Sequence, residues 1–71
     1  MKATKESISK GIWEISKVSD REIMITDGFT CSYGYISADK KTMYYDRIIF
    51  PLYVHKAALR FASKNIRSIY N

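Results

Sequence analysis

Apolar residues recur at every second position through the first two thirds of the chain, and at helical spacing through the last third. In Ile12–Val18, Trp13 and Ile15 stand two apart with Glu14 and Ser16 between them. After a turn at Ser19-Asp20, Glu22–Thr26 alternates again, with Ile23 and Ile25 on one side. Strict alternation of this kind predicts strands with one buried face. Asp27-Gly28 separates this run from the next and marks a hairpin, because glycine accepts the positive φ that tight hairpin turns require. The following run places Phe29, Cys31, Tyr33 and Tyr35 on one face and Thr30, Ser32 and Gly34 on the other. The aromatic face is the one expected to be buried, with Cys31 as a small hydrophobe inside it. Ala38–Lys41 reads as a turn, and Thr42–Asp46 as a fourth strand that could run on through Ile49.

Pro51 changes the period. It forces Phe50 into an extended conformation and suits the first position of a helix, where its missing N–H is no loss. No Gly or Pro follows from Leu52 to Tyr70, and the spacing predicts a helix over that stretch. At about 100° per residue, Leu52, His55, Ala58, Leu59, Ala62, Ile66, Ile69 and Tyr70 fill an arc about 120° wide, with Val54 and Phe61 on one flank. His55 in that arc reads as a hydrogen-bonded core residue. Lys56, Arg60, Lys64 and Arg67 gather within about 80° on the other flank.

An apolar helix face and an apolar sheet face bury each other, so the expected fold is α+β: a four-stranded antiparallel meander packed against one C-terminal amphipathic helix, ββββα in two layers. Residues 1–10 are expected to be a weakly ordered arm and residues 11–71 a single domain. The expected core is Trp13, Ile15, Ile23, Ile25, Phe29, Tyr33 and Leu59. A domain of 71 residues has a thin stability margin, and an edge strand left unpaired by the meander makes a homodimer a further expectation.

Charge adds what the periodicity leaves out. The net charge is +5, and it is unevenly placed. Residues 1–46 hold seven basic and seven acidic side chains, whereas residues 47–71 hold Arg47, Lys56, Arg60, Lys64 and Arg67 with no acid. An exposed helix commonly interleaves acids at i+4 for local pairing; this one has none. Basic side chains without local partners suit phosphates, each replacing a condensed counterion. Six tyrosines add side chains that stack on unpaired bases or anchor protein interfaces.

The candidate chemistry is otherwise sparse. One cysteine and one histidine fall short of the four ligands of a structural zinc site. The acids stand singly, with no spaced pair for acid–base work, and no glycine-rich phosphate loop is present. No enzyme activity, cofactor or metal is therefore expected. No run approaches the roughly 20 apolar residues of a membrane span, and the polar start from Met1 has no secretory character; a cytoplasmic location is expected, without a membrane partner. The expected function is a small nucleic-acid-binding module, regulatory or accessory, acting through Arg47, Lys56, Arg60, Lys64, Arg67, Tyr44 and Tyr53. The alternative is a small inhibitor or adaptor that docks on an acidic surface of a host protein through the same Tyr- and Arg-bearing surface. In outline, a short sheet followed by a helix resembles the arm-type DNA-binding domains of integrases, without a residue motif that carries the likeness. The Ile-, Lys- and Tyr-rich composition resembles that of accessory proteins of phages and mobile elements.

Overall fold

The computed structural model describes residues 7–69. A five-stranded antiparallel meander, in spatial order β1-β2-β3-β4-β5, carries one helix on one face. The strands are β1 (Ser7–Lys10), β2 (Trp13–Ser19), β3 (Glu22–Thr26), β4 (Cys31–Ile36) and β5 (Met43–Tyr45), and the helix α1 is Leu52–Asn65. The two-layer α+β architecture is the expected one with one strand more. Residues 7–10, expected to be part of a weakly ordered arm, pair with β2 from Ser7↔Ser16 to Lys10↔Trp13. They contribute Ile8, which packs partly buried against the core. The rest of that arm, residues 1–6, lies outside the described residues, as does Tyr70.

The core is built on isoleucine. Ile15, Ile23, Ile25 and Ile36 are fully buried on the inner face of the sheet, joined by Trp13 and Met43. Against them the helix lays Val54, Ala57, Ala58, Phe61 and Ala62. This face is rotated by about 90° from the arc read from the sequence, at 100° per residue. Leu52 is exposed and Leu59 only partly buried. The reason is fit: four isoleucines make a flat, full surface, and a helix face of three alanines can approach it where a leucine ridge could not. Val54 and Phe61, flank residues in the sequence reading, become the large inward side chains.

Strand β4 is inverted relative to expectation. Its inner face is Ser32, Gly34 and Ile36, while Cys31, Tyr33 and Tyr35 point to the open face and Phe29 is 94% exposed in the turn. Neither Phe29 nor Tyr33 is core, and Cys31 is exposed rather than buried. The small inner residues make room for the chain leaving β5. Ser32 Oγ contacts the Arg47 carbonyl and lies 3.2 Å from Asp46 Oδ1. Gly34 lies beneath the Tyr45 ring, so that a Cβ there would sit 3.0 Å from Tyr45 Cδ1 and 3.1 Å from Met43 Cε. Phe50 then closes the layer, edge-on to Tyr45 at 4.9 Å and to Trp13 at 6.3 Å between centroids.

The helix begins at Leu52 as the spacing predicts, with Pro51 as its N-cap instead of its first residue, and ends early, at Asn65, without a Gly or Pro to stop it. Tertiary contacts end it instead. Ile66 turns extended and is buried. Arg67 N donates to Asp20 O at 2.7 Å, and the Arg21 guanidinium donates to the Ser68 carbonyl. Both bonds tie the chain to the turn between β2 and β3.

Aspartates organise the other connections. Asp27 Oδ1 accepts the amides of Phe29 and Thr30 at 2.9 and 2.8 Å, with Gly28 at φ 96° beside it. Asp39 accepts from Ser37 Oγ at 2.6 Å and Lys41 N at 3.0 Å. Asp46 accepts Tyr33 N at 2.9 Å, clipping the chain to β4 as it leaves β5. The backbone amides of Thr30 and Phe29 lower the Asp27 pKa, the Ser37 hydroxyl and Lys41 amide lower that of Asp39, and the Tyr33 amide lowers that of Asp46.

Two outcomes follow for stability. Ile25→Ala should cost roughly 2–5 kcal/mol, Ala58→Leu roughly 1–3 kcal/mol by overpacking, and the half-buried Leu59→Ala only about 1 kcal/mol. Thermal melts give the ranking, and a Leu59→Ala loss equal to that of Ile25→Ala would show that the helix face is wrongly assigned. The second outcome concerns pH. A carboxylate whose folded pKa is depressed stabilises the fold above its unfolded value, here 3.8, and that contribution is lost as pH falls through the lower folded value. The melting temperature should therefore fall below about pH 4, and Asp39→Asn with Asp46→Asn should start lower at pH 7 and lose less on acidification; an equal acid loss in both proteins would refute this assignment.

Candidate functional site

The rotation of the helix decides which residues face outward. Tyr53, Lys56, Arg60 and Lys64 share the solvent-facing arc, all four exposed. The buried face is centred about 130° round the helix from these cations, so they stand on the outer side of the layer instead of bordering the sheet. Tyr53 belongs to the same arc, with its hydroxyl over the β1–β2 turn, 3.3 Å from where a Cβ on Gly11 would lie. Lys56, Arg60 and Lys64 are spaced at i, i+4, i+8, about 6 Å apart along the axis.

The remaining expected site residues are placed elsewhere. Arg67 lies beyond the helix and pairs with Asp20, Nη2 to Oδ2 at 3.9 Å. Arg47 sits in the segment between β5 and α1, next to Asp46. Tyr44 points from β5 to the open face of the sheet, opposite Tyr35. That face also carries a cross-strand row of Ser7, Ser16, Met24 and Tyr33. Tyr35 donates to Glu22 Oε2 at 2.9 Å, and that bond raises the phenol's pKa. Tyr33, Tyr35 and Tyr44 thus lie on the side of the sheet away from the helix cations, and among the described residues Tyr53 is the exposed tyrosine that joins those cations.

The cations also differ in their engagement. Lys17 and Arg67 pair with Asp20, Arg21 holds the Ser68 carbonyl, and Lys40 Nζ donates to the Ser63 carbonyl at 3.3 Å. Among the described residues, no acid lies within ion-pair distance of Lys56, Arg60 or Lys64.

A second feature went unseen in the sequence. An open apolar pocket of about 380 Å³ lies where β5, the connecting segment and the first turns of α1 meet, lined by Met43, Tyr45, Ile48, Phe50, Leu52 and His55. Ile48 and Leu52 at its mouth are 72% and 66% exposed. His55, expected as a hydrogen-bonded core residue, is hydrogen-bonded but only half-buried and lies at the pocket wall, its Nδ1 2.8 Å from Tyr45 Oη. Burial pushes the Tyr45 phenol well up, so it stays protonated and can donate to Nδ1. Only the exposed pair of large aliphatics flanking Pro51 could have hinted at this pocket.

No group of three or more His, Cys, Asp or Glu able to hold a metal ion occurs among the described residues. Among the described residues no helix is long and apolar enough to cross a membrane. Comparison with protein families, with curated proteins and with solved structures finds no match to this chain.

Tyr45→Phe tests the polar link in the pocket wall. Loss of one hydrogen bond should lower stability by about 1 kcal/mol and leave the far-ultraviolet circular dichroism spectrum unchanged. A melt identical to wild type would show that the Tyr45–His55 bond contributes nothing.

Proposed function

We propose that this protein is a non-catalytic nucleic-acid-binding module whose contact surface is the outer arc of α1. The observation that carries this reading is the set of three cations, Lys56, Arg60 and Lys64, held on a packed helix with no acid within ion-pair distance among the described residues. Their span of about 12 Å along the helix axis matches the rise over three to four nucleotides of one strand at about 3.4 Å each. Arg60 can grip a phosphate in a bidentate fork where the lysines act as point charges. Tyr53, between them on the arc, offers a ring to a sugar or an unpaired base. A helix whose buried face is fixed by Val54, Phe61 and three alanines presents these groups without ordering anything first, which favours binding.

The reading makes phosphate contact the main source of affinity, so binding should weaken steeply with salt, by roughly 0.9 logarithmic units per contact on duplex DNA. Arg60→Glu with Lys64→Glu reverses four units of charge on exposed positions and should leave the fold intact. Fluorescence anisotropy with a labelled oligonucleotide at two salt concentrations should show binding lost or its salt slope reduced by about two. A folded double variant with wild-type affinity would sink the proposal.

A further inference from the structure

The apolar pocket beside the helix start is a concave surface that the nucleic-acid reading leaves unused. Its wall is aliphatic and aromatic: Met43, Ile48, Phe50 and Leu52, with His55 and Tyr45 as the polar members. Phosphates gain nothing from such a lining. A single apolar side chain gains a great deal, because anchors that fill desolvated pockets carry most of the energy of protein interfaces. Ile48 and Leu52, 72% and 66% exposed, line the same pocket, and contiguous exposed apolar surface marks interaction sites.

Charge selects the occupant. Arg47 immediately precedes Ile48, and Lys56 stands one helical turn beyond Leu52, so a basic residue adjoins each of the pocket's exposed aliphatics along the chain; no acid occurs among residues 47–69. The nearest acid in sequence, Asp46, has its carboxylate engaged by the Tyr33 amide and the Ser32 hydroxyl. The Tyr45 hydroxyl and His55 Nδ1, 2.8 Å apart, form the polar part of the wall. A second copy of this chain is a poor occupant, since a two-fold contact here would set Arg47 and Lys56 against their own counterparts.

We infer that the pocket formed by Met43, Ile48, Phe50, Leu52 and His55 receives a large apolar side chain from an acidic segment of a partner protein, with Arg47 and Lys56 pairing the acids that flank the anchor. This site is separate from the outer arc of α1. Lys56 borders both, whereas Leu52 belongs to the pocket alone and Lys64 to the arc alone.

The probe is a set of 12-residue peptides with one central Trp, Phe or Leu flanked by Asp and Glu. Control peptides carry Ala in place of the anchor or Lys in place of the acids. Methyl resonances of Met43, Ile48 and Leu52 report on the pocket. Acidic anchor peptides should shift them saturably and the two controls should not. Leu52→Gln should weaken the peptide at least tenfold and leave oligonucleotide binding within about twofold. Glutamine keeps the helix and adds no charge four residues from Lys56, and Ile48→Gln provides a second variant outside the helix. Arg60→Glu with Lys64→Glu should do the reverse, weakening oligonucleotide and changing peptide affinity by no more than a few-fold, so either site can fail without the other. No shift up to millimolar peptide, or an equal shift with the lysine peptides, would overturn the inference. So would a single-stranded oligonucleotide moving the same methyls in competition with the peptide, which would make the pocket a base site. Methyl shifts that depend on protein concentration alone would assign it to a second copy.

Discussion

The structure depends on how closely α1 approaches the sheet. A small two-layer domain can bury only one face of each layer, and Ile15, Ile23, Ile25 and Ile36 make that face of the sheet uniformly tall. The helix meets it with Ala57, Ala58 and Ala62, which are almost entirely buried, and uses Val54 and Phe61 to fill the margins. Close packing at this density leaves little freedom to turn the helix about its axis. The placement of every other helical side chain, the cations included, follows from that one fit.

The segment from β5 to α1 is constrained by the same closeness. The chain must return across the inner edge of the sheet before the helix can begin, and Ser32 and Gly34 on β4 keep that passage open. Asp46, bound to the Tyr33 amide, fixes where the chain turns in, and Phe50 wedges against Tyr45 and Trp13. With Phe50 inside, the alternation leaves Ile48 out, and Pro51 sends Leu52 outward at the first turn. The pocket is thus what remains between a strand end and a helix start that cannot close on each other, because a three-residue β5 ends too soon to cover the gap.

Much of this was legible in the residues. Trp13, Ile15, Ile23 and Ile25 announced their strands and their inward face, and Asp27-Gly28 its turn. What failed was the choice of face on β4. Period two is satisfied equally with Phe29, Cys31, Tyr33 and Tyr35 inside or outside, and hydrophobicity favoured the wrong alternative. The deciding fact was non-local: the chain from Asp46 onward needs the space that only Ser32 and Gly34 leave. The helix phase failed for a related reason. A count of apolar positions gives Leu52 and Leu59 the same weight as Ala57 or more, whereas contact with a tall sheet rewards small residues. The helix end at Asn65 had no local signal, since hydrogen bonds from Arg67 and Arg21 set it. The spacing grouped Lys56, Arg60, Lys64 and Arg67 on one flank; the first three share an outward arc of α1, whereas Arg67 lies beyond the early helix end and Tyr44 on the other side of the sheet.

The distribution of charge has a physical logic once the packing is known. Where a cation can help hold the fold, it does: Lys40 donates to the last-turn carbonyl of Ser63, Arg21 to the Ser68 carbonyl beyond the helix, and the Arg67 guanidinium pairs with Asp20. Basic side chains near a helix C-terminus also meet the negative end of its dipole, and Lys64 shares in that benefit. Lys56 and Arg60 have no such reason. Lys56 lies near the positive end, where a cation is mildly unfavourable, and no acid stands at i±4 from either residue. A helix selected for stability alone would carry glutamate at one of those positions, gaining a few tenths of a kcal/mol per pair. That both exposed positions lack such an acid is what supports the anionic partner proposed above.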